Sequence, residues 1–138
     1  MKFDFSSHGI VALVMKDDKF LLLEDARKLM LGSWAPPHGR CKTSDSSEKE
    51  AVKREVFEET SLKVTPVKKV WTTKADTKVK TVSFWLVRYL KGKVELDKKE
   101  SSNFGWFTLD EALNLKLYPG TKKFLTLVKS KKMLLLHP

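Results

Sequence analysis

The chain is organised around one stretch of residues, Arg54-Glu55-Val56-Phe57-Glu58-Glu59-Thr60-Ser61-Leu62. On a helix of about 3.6 residues per turn, Glu55, Glu58 and Glu59 fall at positions i, i+3 and i+4, so their carboxylates share one patch. Like charges at these spacings repel each other by about 0.2–0.5 kcal/mol per pair. A carboxylate patch suits a hard divalent cation, which takes oxygen ligands and often bridges to substrate phosphates. The stretch therefore predicts a Mg²⁺ or Mn²⁺ site for phosphate chemistry, with a plain solvated helix face as the alternative.

A loop with a single glycine, Pro36-Pro37-His38-Gly39-Arg40, precedes this stretch. Together the two segments resemble the Nudix box, whose pattern is Gly, five residues, Glu, seven residues, then Arg-Glu-apolar-any-Glu-Glu-any-Gly-apolar. From Arg54 to Leu62 the match fails only at the glycine, which is Ser61 here. The resemblance therefore covers the half of the box that binds metal.

The first half of the box is partly degenerate. Gly39 is followed by Arg40, which stands where the pattern has its first glycine, and the early glutamate of the pattern falls on Ser46. Glu48 lies two residues further on and is the candidate to replace that glutamate in part. A catalytically impaired Nudix domain that binds a nucleotide or a partner is therefore kept as an alternative to an active enzyme.

Length and composition predict a globular protein. With 138 residues, 41% of them apolar, the chain is long enough for one domain with a real core, and we assign residues 1–138 to it. No apolar run approaches the roughly 20 residues that span a bilayer, and the N-terminus lacks the apolar region of a secretory signal. The single cysteine, Cys41, is compatible with a reducing compartment. We expect a cytoplasmic protein with no membrane association.

The net charge of +10 is compatible with several partners. Only four of the 27 basic residues are arginines, namely Arg27, Arg40, Arg54 and Arg88. Scattered lysines are more often a solvated surface than a nucleic-acid interface, which favours arginine forks. We therefore expect a small phosphate-bearing ligand and no dedicated nucleic-acid binding. An RNA-binding protein remains a third hypothesis, and it predicts affinity that falls steeply with salt.

Hydrophobic periodicity indicates the order of the secondary-structure elements. Apolar runs at residues 9–15 and 20–23 predict a hairpin, and residues 64–73 and 79–90 predict a second antiparallel pair around a turn at 74–78. Glu48 opens the carboxylate helix with Ser46 or Ser47 as its cap.

Three further elements follow towards the C-terminus. Residues 106–107 predict a short strand, and Thr108 with Glu111 predicts a capping box at a helix start. Pro119 opens the last helix. This order is what the Nudix resemblance implies: an α/β fold in which a mixed β-sheet lies between helices as an α/β/α sandwich.

The resemblance also implies the roles of the site residues. Glu55, Glu58 and Glu59 would hold Mg²⁺ (or Mn²⁺), with the Gly39 carbonyl as a further ligand. Arg54 would orient the neighbouring carboxylates by charge-assisted hydrogen bonds. The catalytic base is either Glu55 or a later acid, for which Glu100 is the candidate.

Substrate contacts are predicted more coarsely. Arg40 and Lys42 are candidates to meet phosphates, and the aromatic candidates to stack on a base are Trp34, Trp71 and Trp85. The chain lacks the downstream proline of ADP-ribose members and the tyrosine that dinucleoside-polyphosphate members often have. The default substrate is therefore a (d)NTP, cleaved as by MutT-type nucleotide pyrophosphohydrolases. A homodimer is left open.

Overall fold

The computed structural model describes residues 7–75 and 79–131. Within these residues it has seven strands and three α-helices, with a 3-10 turn at Lys28–Met30. In chain order they are β1 (His8–Lys16), β2 (Lys19–Asp25), β3 (Trp34–Ala35), β4 (His38–Arg40), α1 (Glu48–Thr60), β5 (Lys63–Lys74), β6 (Thr81–Lys91), β7 (Ser101–Phe107), α2 (Leu109–Leu113) and α3 (Pro119–Ser130). The predicted turn at 74–78 lies partly outside the described residues.

The seven strands form one mixed sheet with β1 at its centre. β1 runs parallel to β6, with His8 opposite Thr81 and Met15 opposite Arg88, while the other pairings are antiparallel. β5 lies on the far side of β6, and β7 pairs with β2. The predicted mixed sheet is confirmed.

The two strands of the first hairpin, β1 and β2, separate beyond the turn that connects them. β1 and β2 pair only beside the turn, where Met15 is opposite Phe20 and Lys16 is opposite Lys19. Further from the turn β4 takes the place beside β1, and β3 pairs with the end of β2. The backbone N–H of Ala12 donates to the carbonyl of Pro37 at 2.8 Å. The glycine loop thus lies inside the sheet, where two strands have moved apart.

Both faces of the sheet are buried, which explains the unbroken apolar run of β1. Ile10, Ala12 and Val14 pack in a core beneath α1. The alternate side chains, Val11, Leu13 and Met15, pack in a second core with α2 and α3. The predicted α/β/α sandwich is therefore confirmed.

The predicted helix starts are confirmed by their caps. The Ser47 hydroxyl accepts from the backbone N–H of Glu50 at 3.2 Å, and α1 begins at Glu48. Thr108 and Glu111 form a complete capping box at the start of α2. Pro119 is the first residue of α3. These local motifs fix the starts of all three helices before any tertiary contact is considered.

One strand is longer than the sequence predicts. β7 begins at Ser101, five residues before the predicted strand at 106–107. Its first half has exposed side chains, Ser102, Asn103 and Phe104, and it is held to β2 by backbone pairing. Side-chain alternation could not reveal a segment that pairs through its backbone at the edge of a sheet.

No helix in the part of the chain that the structure describes is both long enough and apolar enough to cross a membrane.

Candidate active site

The glycine loop and α1 meet at Gly39 and Glu55. A Cβ built on Gly39 would overlap all three carboxylate atoms of Glu55, so a larger residue here would displace this carboxylate. The carboxylate is largely buried, and its Oε1 accepts from Arg54 Nη1 at 2.9 Å. Burial raises the pKa of Glu55, against the lowering effect of Arg54. Two predicted metal ligands are thus in contact although they are 16 positions apart in sequence.

Glu59 binds the same loop one turn along the helix. Its Oε2 accepts from the backbone N–H of His38 at 2.9 Å. Burial raises the pKa of Glu59 well above its usual range, and the negative charge of Glu55 adds to the shift. Two buried carboxylates beside each other are costly in the absence of a cation.

Glu58 is the most exposed of the three glutamates. Its side chain is 48% exposed, and Oε2 accepts from Arg54 Nη1 at 3.1 Å. Lys42 Nζ lies 4.0 Å from the other oxygen. The predicted role of Arg54 in orienting its neighbours has this geometric basis, since one terminal nitrogen contacts both Glu55 and Glu58.

Asp45 holds Arg54 from the other side, which sequence analysis missed. Arg54 Nε and Nη2 donate to the two Asp45 oxygens at 2.9 and 3.0 Å, and the backbone N–H of Lys42 donates to Oδ2 at 2.7 Å. The hydrogen bonds from Arg54 lower the pKa of Asp45. A carboxylate directly before Ser46 thus forms an ion pair with the arginine of the box. The only clue in sequence is an acidic residue within the polar stretch 43–47.

Glu48, the residue expected to replace the missing glutamate in part, is engaged elsewhere. Its Oε1 lies 3.1 Å from His8 Nε2 and accepts from Trp85 Nε1 at 3.2 Å, and its Oε2 accepts from Lys69 Nζ at 2.6 Å. These partners lie on β1, β6 and β5. Glu48 therefore ties the start of α1 to the sheet, and it is Asp45, not Glu48, that contacts Arg54 of the box.

We expect Asp45→Asn to lower the free energy of unfolding by about 2 kcal/mol, because a charged hydrogen-bonded pair loses its acceptor while Arg54 stays partly buried. Urea denaturation measures the effect. The matched control is Glu50→Gln on α1, whose half-exposed ion pair with Lys53 should be worth under about 1 kcal/mol. Equal stabilities for the two variants would show that Asp45 does not anchor Arg54.

Ser61, which stands where the pattern has its second glycine, ends the helix. It is the C-terminal cap of α1 with φ 66° and ψ 7°, in the left-handed region that favours glycine, and its N–H donates to Phe57 O. Replacement of this glycine by serine therefore affects only the backbone conformation at the end of the helix and removes no carboxylate.

A pocket opens beside Glu59 at the end of β2. It is lined by Leu23, Asp25, Arg27, Ala35, Pro36, His38, Glu59, Glu100, Ser101 and Tyr118. The structure thus brings the predicted base candidate Glu100 to the same cavity as the predicted ligand Glu59. Asp25, Arg27 and Tyr118 were not predicted as site residues because they lie outside the Nudix box. His38 lies in the glycine loop but was not singled out there.

His38 is neutral and has a defined tautomer. Its Nδ1 lies 2.9 Å from the carbonyl of Pro36, which can only accept, so Nδ1 carries the proton. Burial lowers the pKa of the ring. The ring packs edge-on against Tyr118 with centroids 5.2 Å apart. His38 therefore contributes an uncharged wall to the pocket.

The predicted stacking residues do not gather around this pocket. Trp85 is 7% exposed in the core beneath α1, so almost none of its ring is available to a base. Trp71 packs on Phe124 in the opposite core, and half-buried Trp34 meets Phe107 edge-on. All three tryptophans are absent from the pocket lining, because their side chains point into the two cores.

The predicted phosphate contacts lie at the surface near α1. Arg40 is exposed, and its carbonyl accepts from Arg54 Nη2 at 3.1 Å. The Lys42 side chain is 58% exposed beside Glu58. Both remain predictions as substrate contacts.

Among the described residues, no three His, Cys, Asp or Glu side chains already stand in metal-binding geometry. The donors nevertheless fit Mg²⁺, since carboxylate and carbonyl oxygens are the ligands that it prefers. The Glu55 carboxylate packed against the Gly39 backbone and the buried carboxylate of Glu59 also fit a cation, because burying both is costly without a charge to balance them. Binding would require Glu55 and Glu58 to turn from Arg54 towards it.

Comparison with known proteins is consistent with this geometry. The sequence model of the NUDIX domain matches residues 6–128. No curated protein sequence matches the chain significantly.

Solved structures resemble the chain over nearly all of its length. An ADP-ribose pyrophosphatase from Streptococcus suis is 29% identical, with TM-score 0.72 over 94% of this chain and 93% of that one. The E. coli ORF135 protein is 19% identical, with TM-score 0.73 over 91% and 90%. An Ap4A hydrolase from C. elegans is 23% identical, with TM-score 0.68 over 91% and 96%. The last two likenesses concern the fold alone.

Proposed function

The chain belongs to the NUDIX domain family and is a Nudix hydrolase, and from that premise we propose that it cleaves a pyrophosphate linkage in a (d)NTP in a metal-dependent reaction. The observation that carries the proposal is the contact between the Glu55 carboxylate and the Gly39 backbone, with Glu59, which lines the pocket, one turn along the same helix. This contact gathers acidic ligands where the substrate can reach them.

We assign the metal to Glu55, Glu58, Glu59 and the carbonyl of Gly39. A bound Mg²⁺ or Mn²⁺ would neutralise charge on the phosphates and acidify an attacking water. The chain itself supplies the arrangement: Asp45 fixes Arg54, and Arg54 holds Glu55 and Glu58 in a defined orientation. Arg54 thus keeps both carboxylates beside the glycine loop, from which they would turn to the metal.

Glu100 is our proposed general base, with Glu55 as the alternative. No described side chain donates a hydrogen bond to the Glu100 carboxylate, which lines the pocket, whereas Glu55 is engaged by Arg54. The backbone carbonyl of Glu100 accepts from Ala26 N at 2.8 Å, which ties its loop to the end of β2. A carboxylate held in place with a free oxygen is suited to accept the proton of a water.

The three departures from the Nudix box weigh little against catalysis. Ser61 is a helix cap, Asp45 beside Ser46 forms an ion pair with Arg54, and Arg40 leaves Gly39 in place beside Glu55. The alternative, an impaired domain that binds a nucleotide or a partner, therefore rests on sequence pattern alone. The similar structures include enzymes named for ADP-ribose and Ap4A, so both substrate classes belong in the test.

We also propose that residues 1–138 form one domain and that the protein acts in the cytoplasm. Its one cysteine, Cys41, is buried, and burial raises the pKa of the thiol to about 12, so it is protected from oxidation. A homodimer stays a prediction.

Turnover of a substrate panel tests the proposal. The panel contains the (d)NTPs, 8-oxo-dGTP, dinucleoside polyphosphates, ADP-ribose and nucleotide sugars, each with Mg²⁺, Mn²⁺ or chelator, and phosphate and pyrophosphate release are measured. We expect (d)NTP turnover that chelator abolishes. Nucleotide binding without turnover of any compound would favour the impaired domain, and metal-dependent turnover of another class alone would overturn the (d)NTP assignment.

A further inference from the structure

A rigid arginine stands at the pocket wall formed by the end of β2. Asp25 accepts from Arg27 Nε at 3.0 Å and from Nη2 at 2.9 Å through its two oxygens, and also from the Arg27 backbone N–H at 2.8 Å. Tyr118 donates its hydroxyl proton to Asp25 and accepts from Arg27 Nη2 at 3.3 Å. The orientation of the guanidinium is therefore fixed on one side.

The other side of the guanidinium is open. The Arg27 side chain is 51% exposed while that of Asp25 is 4% exposed. No described residue accepts a hydrogen bond from Nη1. Asp25 stays ionised at neutral pH, because hydrogen bonds from Arg27 and Tyr118 outweigh its burial and lower its pKa to about 2. Arg27 thus presents a free charged donor that has already lost its rotational freedom.

The charges of the pocket indicate what this donor meets. The acidic side chains of the lining are those of Asp25, Glu59 and Glu100, and Arg27 is the one cationic side chain among the lining residues. A polyphosphate that starts at the metal ligand Glu59 and extends along the pocket would otherwise face only negative or neutral walls. A planar guanidinium fork is the side chain that best matches phosphate oxygens.

We propose that Arg27, held by Asp25 and Tyr118, binds a substrate phosphate that lies beyond the pyrophosphate unit at Glu59, so that the site favours triphosphates and longer chains over diphosphate-linked compounds such as ADP-ribose. This inference rests on the proposed function and narrows its substrate class. Arg27 contacts the substrate directly, whereas Asp25 and Tyr118 are positioning residues.

Calorimetric titration with two inorganic probes tests the inference without catalysis. With Ca²⁺ in place of Mg²⁺, we expect the wild-type protein to bind tripolyphosphate about 10- to 100-fold more tightly than pyrophosphate, as one charged hydrogen-bonded contact allows. Arg27→Gln should reduce this ratio to within about threefold of unity. A wild-type protein without the preference, or a variant that keeps it, would overturn the proposal.

Three further variants separate a loss of binding from a loss of folding. Arg27→Gln leaves Asp25 buried without its counter-charge, so the double variant Asp25→Asn/Arg27→Gln, in which both charges are removed, should fold and show the same loss of preference. Arg27→Lys keeps the charge without the fork and should restore part of the preference. Arg88→Gln, at an exposed arginine of β6 outside the pocket lining, is the matched control and should behave as wild type.

Steady-state kinetics distinguish failure of this inference from failure of the proposed function. If substrates are turned over, Arg27→Gln should raise KM for nucleoside triphosphates about 10- to 100-fold and leave KM for diphosphate-linked substrates within about threefold. An equal rise in KM for both substrate classes, or a rise that depends on the nucleobase and not on the number of phosphates, would refute the inference and leave the proposed hydrolysis intact. No turnover by wild type, together with an Arg27-dependent tripolyphosphate preference, would refute hydrolysis and retain Arg27 as the phosphate anchor.

Discussion

Glu59→Gln is expected to lower kcat by about 10²–10³-fold with Mg²⁺ as the metal, because a neutral amide replaces a buried ligand whose charge the cation would balance. The backbone N–H of His38 can still donate to the amide oxygen, so the loop keeps its position. Initial rates against Mg²⁺ concentration give the measurement. Glu50→Gln, an exposed change one turn into the same helix, should leave the rates unchanged.

Glu59→Gln should lower kcat without lowering the free energy of unfolding. A stability measurement therefore distinguishes the loss of a metal ligand from misfolding. Burial and the charge of Glu55 raise the pKa of Glu59 in the folded protein, so the folded state binds a proton that the unfolded state releases. In chelator, wild-type stability should therefore fall as pH rises from about 4.5, the ordinary value, towards the raised pKa. The stability of Glu59→Gln should fall less with rising pH, because the titration of Glu59 is removed. At neutral pH the variant should be at least as stable as the wild type. A variant that is active, or one that is inactive and much less stable, would refute the assignment of Glu59 as a ligand.

Gly39→Ala is expected to lower kcat/KM by at least about 100-fold, since the new methyl group would occupy the place of the Glu55 carboxylate. Glu55 would have to turn away from the loop, and one predicted ligand would be displaced while its chemistry stayed intact. Metal titration followed by turnover assays would show the loss.

The control for this change is another glycine. A Cβ on Gly120, in the first turn of α3, would meet nothing within 4 Å. Gly120→Ala should therefore keep full activity and gain up to about 1 kcal/mol of stability from higher helix propensity. If Gly39→Ala were as active as Gly120→Ala, the contact between loop and helix would have no part in catalysis.

The parts of the site that could be predicted from the sequence are those set by residues close to each other in the chain. Glu55, Glu58 and Glu59 share a helix face because of helical geometry alone, and Ser47 and Thr108 cap their helices through contacts three residues away. The partners of distant residues follow no such rule. Tyr118 and Asp25 are 93 positions apart in sequence, and only the folded sheet brings them together.

The sequence also could not show whether the aromatic side chain of Trp85 on β6 is exposed or buried. The alternation of residues along β6 predicts that Trp85 and Phe84 point to opposite faces, but both faces turn out to be covered, by α1 on one side and by α3 on the other. A stacking role for Trp85 needed an open face. Which faces are covered depends on helices whose packing cannot be derived from the strand itself.

The left-handed conformation of Ser61 has a consequence for how such proteins are recognised. A serine in this conformation costs on the order of 1 kcal/mol relative to glycine. Folded domains have a margin of about 5–15 kcal/mol, so a lineage can accumulate this substitution without unfolding. The glycine of the motif therefore reflects a left-handed backbone conformation and no catalytic group. A pattern search that requires this glycine will miss chains that keep the acidic residues of the helix. A search for a carboxylate packed against a side-chain-free backbone position would find them.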